Sequence, residues 1–140
     1  MFLQAAQPDS LLPCNKVPAA VVATALGGRV TNTISSGWVD EGEARCRYYL
    51  RAPGGGPDTT SRIYILYIQP AEDYDGLKEA ATAPTTDVPG VGDGAYFYVD
   101  PETKRVWMNA VARGRITVTV SGPDLPSARK LAALALTRYR

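Results

Sequence analysis

Arg105-Val106-Trp107-Met108-Asn109-Ala110-Val111-Ala112-Arg113-Gly114-Arg115-Ile116-Thr117-Val118-Thr119-Val120-Ser121 holds two alternating runs joined by a tight turn. Val106, Met108 and Ala110 fall opposite Trp107, Asn109 and Val111. Past Arg113-Gly114, Ile116, Val118 and Val120 fall opposite Thr117 and Thr119. A period of two is the signature of a strand, and two such runs separated by a glycine turn read as a hairpin. A third run, Ala95-Tyr96-Phe97-Tyr98-Val99, lies upstream and is joined through Asp100-Pro101-Glu102-Thr103-Lys104. These three runs predict an antiparallel meander. After it, Gly122-Pro123-Asp124-Leu125-Pro126 opens a final helix with Asp124 as its N-cap. Leu125, Ala128, Leu131, Ala132, Ala135 and Tyr139 form the apolar stripe of that helix.

Before the meander stands Val88-Pro89-Gly90-Val91-Gly92-Asp93-Gly94-Ala95. It contains G-x-G-x-x-A, close to a dinucleotide fingerprint, which requires a strand before it and a helix after it. Here a proline-bearing loop precedes and a strand follows, the reverse order. The stretch reads instead as a compact turn in which glycines permit positive φ and Asp93 braces the loop. It aims Tyr96, Phe97 and Tyr98 into place.

The first half follows a similar rhythm. A helix is expected over 17–28, with Pro18 in its first turn and Gly27 at its C-terminal cap. A partly polar strand is expected over 29–35. Ala44, Cys46, Tyr48 and Leu50 then alternate with Arg45, Arg47, Tyr49 and Arg51, which puts Cys46 on the core side. A glycine-proline loop over 52–58 leads to Arg62-Ile63-Tyr64-Ile65-Leu66-Tyr67-Ile68, apolar on both faces and expected to be central. A second helix is expected over 72–82, with Glu72, Asp73 and Asp75 at its positive end and Tyr74, Leu77 and Ala81 on one stripe. The fold class is therefore α+β: an antiparallel sheet of five or six strands with helices packed on one face, in the order α-β-β-β-α-β-β-β-α. Residues 1–13 read as an N-terminal tail and 14–140 as one domain.

Composition narrows the chemistry. The chain has 140 residues, 45% of them apolar, a formal net charge of +1 and no histidine. A domain of this length buries about two thirds of the surface its unfolded chain exposes, so a core forms without a metal. Without histidine, no Ser-His-Asp or Cys-His site can be built from this chain. No cofactor or metal is expected, because Cys14 and Cys46 stand 32 positions apart with no metal-ligand spacing. They are two buried thiols or one disulfide. Cys46 faces the side on which the first helix must pack, and Cys14 opens that helix, which favours the disulfide. The near-neutral charge gives no nucleic-acid footprint. Nothing approaches the ~18 apolar residues of a membrane-spanning helix.

The carboxylates of Asp40-Glu41-Gly42-Glu43 and of Glu72, Asp73 and Asp75 are accounted for by a turn and a helix start. Arg45, Arg47 and Arg51 share a strand face, solvated or meeting an anion. The tyrosines on strands are mostly half-buried sheet positions. A subset of Tyr48, Tyr67, Tyr96 and Tyr98, with Asp93 and Trp107, is the expected lining of a ligand or partner groove between the sheet and a helix.

Pro13-Cys14, the helix ending Ala25-Leu26-Gly27, the strand Arg45-Cys46-Arg47-Tyr48 and the Val88–Tyr96 turn together resemble small exported lipoprotein-type domains of unknown function from actinobacteria. The resemblance spans about residues 12–138. It departs from the family in lacking an upstream lipidation cysteine, and Gly94 stands where an acidic residue is common. It implies an exported domain with a Cys14–Cys46 disulfide and no transferable catalytic residues. The N-terminal stretch itself reads as beginning after a removed signal or anchor, through which membrane association is the expected partner relation. The expected function is non-enzymatic binding of a small molecule or an envelope protein. The alternatives are a histidine-free hydrolase or transferase using Asp or Glu with Tyr, and a secreted effector or immunity-type inhibitor.

Overall fold

A computed structural model of the chain describes residues 12–36, 44–51 and 62–139. The expected turn over 40–43, the loop over 52–58 and most of the expected tail lie outside the described residues. Proline divides the first helix. Pro13 starts a single turn, α1 (Pro13–Lys16), and α2 (Ala19–Leu26) begins only after Pro18. Pro18 lacks an N–H and holds Val17 out of the helical region, so one continuous helix over 17–28 is replaced by two pieces. Gly27 ends α2 with φ 73°, as its cap position requires.

The strands are β1 (Arg29–Ser36), β2 (Ala44–Arg51), β3 (Arg62–Gln69), β4 (Thr86–Asp87), β5 (Gly94–Val99), β6 (Val106–Ala112) and β7 (Ile116–Gly122). They form one sheet in the order β1-β2-β3-β7-β6-β5-β4, antiparallel at every pairing. The sheet thus has seven strands where five or six were expected. The extra one, β4, is two residues at the edge, too short to carry an alternation signal. The meander over β5, β6 and β7 is as the sequence predicts, and β7 returns to pair with β3 at the centre of the sheet.

Between β3 and β4 the chain must travel from the middle of the sheet to its far edge. It does so through a 3-10 turn (Ala71–Asp73) and α3 (Tyr74–Glu79), shorter than the helix expected over 72–82. This crossover lies on the face of the sheet opposite to the other helices. The hydroxyl of Thr117 donates to the Ala71 carbonyl at 3.2 Å, and the Tyr74 ring sits 5.3 Å from that of Tyr96. Thr117 and Tyr96 belong to the alternation set that turns away from the main core, so the expectation of helices on one face is corrected. Tyr74 is the apolar anchor, because it alone of the expected stripe is buried.

The main core lies between the first face and α1, α2 and α4 (Leu125–Arg138). Tyr48, Tyr64, Leu66, Met108, Val118 and Val120 meet Val17, Val22, Ala128, Leu131 and Ala135 there. Asp124 caps α4 through the backbone N–H and hydroxyl of Ser127, at 2.9 and 2.7 Å. Burial pushes the Asp124 carboxyl up, but these bonds outweigh it and leave it below its ordinary value. Cys14 and Cys46 form a disulfide that ties α1 to β2.

Candidate functional site

Cross-strand partners project to the same side of a sheet, so the register identifies what each face carries. On the second face one row runs Arg45, Tyr67, Thr119, Asn109, Tyr96, and the next runs Ile34, Arg47, Ile65, Ser121, Trp107, Tyr98. The crossover through α3 covers the end nearer β5. On this second face, among the described residues, no helix packs over β2, β3 and the adjoining part of β7.

Aromatic rings and guanidinium groups gather on this uncovered part. Tyr67 and Trp107 are half-buried with ring centroids 6.0 Å apart, and the Arg45 guanidinium lies 5.9 Å from the Tyr67 ring. Arg45 Nε donates to Ser36 Oγ at 2.7 Å, and Arg47 Nη1 reaches the Tyr49 hydroxyl at 3.4 Å. Arg105 comes from the β5–β6 connection and lays its side chain across β7. It donates to Ser121 Oγ at 2.8 Å, to the Ser121 carbonyl at 3.0 Å and to the Ile63 carbonyl of β3. The Arg105 guanidinium is held below its ordinary pKa, chiefly by burial, with like-charge repulsion from Arg47 adding to it. No carboxylate forms an ion pair with Arg45, Arg47 or Arg105 among the described residues; the pairs found there are Lys78–Asp87 and Arg113–Asp75.

Beside this patch, toward α3, runs a polar chain. Gln69 Nε2 donates to Thr119 Oγ1 at 2.8 Å, the Thr119 hydroxyl donates to Asn109 Oδ1, and Asn109 Nδ2 donates to the Tyr96 hydroxyl at 2.8 Å. It links β3, β7, β6 and β5 in sequence. Burial raises the Tyr96 phenol to about 12, and burial also raises Tyr74 and Tyr98. These hydroxyls remain neutral donors at ordinary pH, a poor state for a general base.

The residues expected to line one groove are divided by the sheet. Tyr67, Tyr96, Tyr98 and Trp107 share the second face. Tyr48 lies on the first, fully buried beneath α1, with its hydroxyl donating to the Val17 carbonyl at 2.7 Å. Asp93 is on neither; its carboxylate accepts the Arg113 backbone N–H at 2.7 Å and braces the β6–β7 turn. A cleft of about 480 Å³ does lie between the glycine turn and α4, but Val91, Ala112, Arg115, Leu136 and Thr137 line it rather than tyrosines. Arg105 was not singled out from sequence. The signal for it was parity, since it is two residues before Trp107 and so on the same side.

Comparison of the chain with protein-family models, curated proteins and solved structures gives no match. Function therefore rests on the geometry of this chain's own residues.

Proposed function

We propose that this chain is a non-enzymatic binding domain of the cell exterior, and that it recognises its ligand or partner with the second face of the sheet. The observation that carries this reading is the gathering of Arg45, Arg47 and Arg105 around Tyr67 and Trp107 on a face that no described helix covers. Half-buried aromatic rings offer large contact area at small conformational cost, and guanidinium groups are the commonest partners of such rings at binding surfaces. The Cys14–Cys46 disulfide is compatible with an oxidising compartment, where exported proteins mature. The resemblance to exported lipoprotein-type domains points the same way.

Amide chemical-shift mapping against a ligand library of mixed charge tests the reading. Perturbations clustered at Ile65, Tyr67, Trp107 and Arg47 support it. Perturbations clustered at Val91, Arg115 and Leu136 would move the site to the cleft beside α4 and sink the assignment. Conversion of a bound compound into product would replace binding with catalysis and favour the Asp or Glu with Tyr alternative.

A further inference from the structure

Arg45 and Arg47 stand two residues apart on one strand face, so their attachment points are about 6.6 Å apart along β2. Arg45 Nε is turned to Ser36 Oγ on β1 and Arg47 Nη1 to the Tyr49 hydroxyl further along β2, so the two guanidinium groups present separate points of charge rather than one shared anion clamp. An extended polypeptide matches that spacing, because its own alternate side chains repeat at the same interval. Arg105 adds a third cation beside Arg47, anchored by its bonds to Ser121 and Ile63 rather than by any described carboxylate. Next to these cations lie half-buried apolar surfaces, Ile65 and Tyr67 on the neighbouring strand β3, and Trp107 on β6 against the Tyr67 ring. The face thus carries cations along β2 and apolar side chains along the adjoining β3.

We propose that this face docks an extended acidic segment of a protein partner in which acidic and apolar residues alternate. The segment lies over the line between β2 and β3 with its side chains alternating toward the two strands. Carboxylates at every second position turn to Arg45 and Arg47, the latter shared with Arg105, and the intervening apolar side chains turn to Ile65 and Tyr67, with Trp107 beyond them. Placing a carboxylate beside Arg105 supplies the counter-charge that this partly desolvated guanidinium lacks among the described residues. The proposal rests on the reading of this face as the recognition surface.

The test uses the oxidised chain carrying Trp38→Phe, which leaves Trp107 as the sole tryptophan. Its fluorescence is titrated with a short peptide of alternating glutamate and valine. The comparison probes are a peptide of the same composition with its glutamates in one block, and inorganic sulfate. The alternating peptide is expected to bind tightest, and more weakly as salt rises. Arg45→Gln and Arg47→Gln are each expected to weaken it about fivefold, while Lys130→Gln on α4 leaves it unchanged. Both arginines are exposed, so these variants fold. Equal affinity for the block peptide or for sulfate overturns the proposal, as does indifference to the two arginine changes. Tighter binding of an acidic polysaccharide or of polyuridylate overturns it in favour of a different polymer. If the peptide is silent while uncharged ligands still perturb Trp107, this proposal fails and the recognition face stands. If nothing perturbs Trp107, both fall.

Discussion

The Tyr48 hydroxyl donates to the Val17 carbonyl at 2.7 Å, and two residues earlier on the same strand Cys46 is bonded to Cys14. Adjacent core-facing positions of β2 thus hold the start and the end of the α1 segment. Alternation makes this possible, since Cys46 and Tyr48 emerge on the same side, one step apart. The bond also satisfies a carbonyl at the break where Pro18 prevents the helix from continuing. Tyr48→Phe removes the donor and leaves the Val17 carbonyl buried, at a cost of about 1–2 kcal/mol. Urea denaturation of the two proteins measures it, with the midpoint falling and the slope unchanged.

Removing the disulfide is expected to cost more. The bond closes a loop across a separation of 32 residues, and the chain-entropy estimate for such a loop is about 3–4 kcal/mol. Cys14→Ser combined with Cys46→Ser should lower the urea midpoint by that equivalent while β5, β6 and β7 keep their register. Hydrogen exchange resolves the two halves. Protection should fall first in α1 and β1. Uniform loss across the whole sheet would show that the bond supports the entire domain rather than its N-terminal part.

Asn109 supports the second face. Its amide accepts from Thr119 and donates to Tyr96, and it is buried. Asn109→Ala leaves two buried hydroxyls without these partners and should cost about 2–4 kcal/mol. A double-mutant cycle with Thr119→Val is the sharper measurement. Coupling of about 1 kcal/mol or more is expected if the chain acts as a unit. Additive effects would show that the two side chains contribute separately.

The main lines of this architecture were legible in the chain because alternation is a local property. Cys46, Tyr48 and the Val106, Met108, Ala110 set announce their side of the sheet without any knowledge of the neighbours. The position of α3 was not legible, because Tyr74 reads as a core residue whichever face it covers. The burial of Thr117, Thr119, Ser121 and Asn109 follows from that crossover and from the central place of β7, both set by topology. The groove expected to gather Tyr48 with Tyr67, Tyr96, Tyr98 and Trp107 required knowing which strands share a row. Strand parity within β2 places Tyr48 beside Cys46, but parity across strands needs the register. Arg105 was hidden for another reason. Its parity with Trp107 gives its side of the sheet, but its partners on β7 and β3 are reached only through a long side chain.

Alkaline stability follows from the buried phenols. Burial raises the Tyr96 phenol from 10.0 to about 12, and burial also raises Tyr48 and Tyr139. A phenol that ionises later in the folded chain than in the unfolded one stabilises the fold fully below pH 10. As pH rises from 10 through the folded value, the unfolded chain binds fewer protons than the native one, and stability falls. The urea midpoint should therefore drop between pH 10 and about 12. Tyr96→Phe should flatten that drop while lowering the midpoint at neutral pH, because the bond from Asn109 is lost. A midpoint independent of pH across this window would show that these phenols ionise freely in the folded chain.

Gly92 is where the central turn leaves no alternative residue. Its φ is 59°, and an added Cβ would stand 2.6 Å from the Val111 carbonyl oxygen and 2.9 Å from a Leu136 methyl. The next residue, Asp93, donates its N–H to that same Val111 carbonyl at 2.8 Å and accepts the Arg113 N–H through its side chain. The turn is thus clamped to β6 on one side and pressed by α4 on the other. Gly92→Ala adds left-handed strain to a collision with backbone that cannot retreat, so a loss of about 2 kcal/mol or more is expected. Asp93→Ala removes the brace but introduces no collision, and should cost about 1 kcal/mol. Thermal unfolding of the two variants separates the effects. The glycine change should be the larger, and it should disturb the amides of Val111 and Leu136. The reverse order would mean that the side-chain brace, rather than close backbone approach, holds the turn in place.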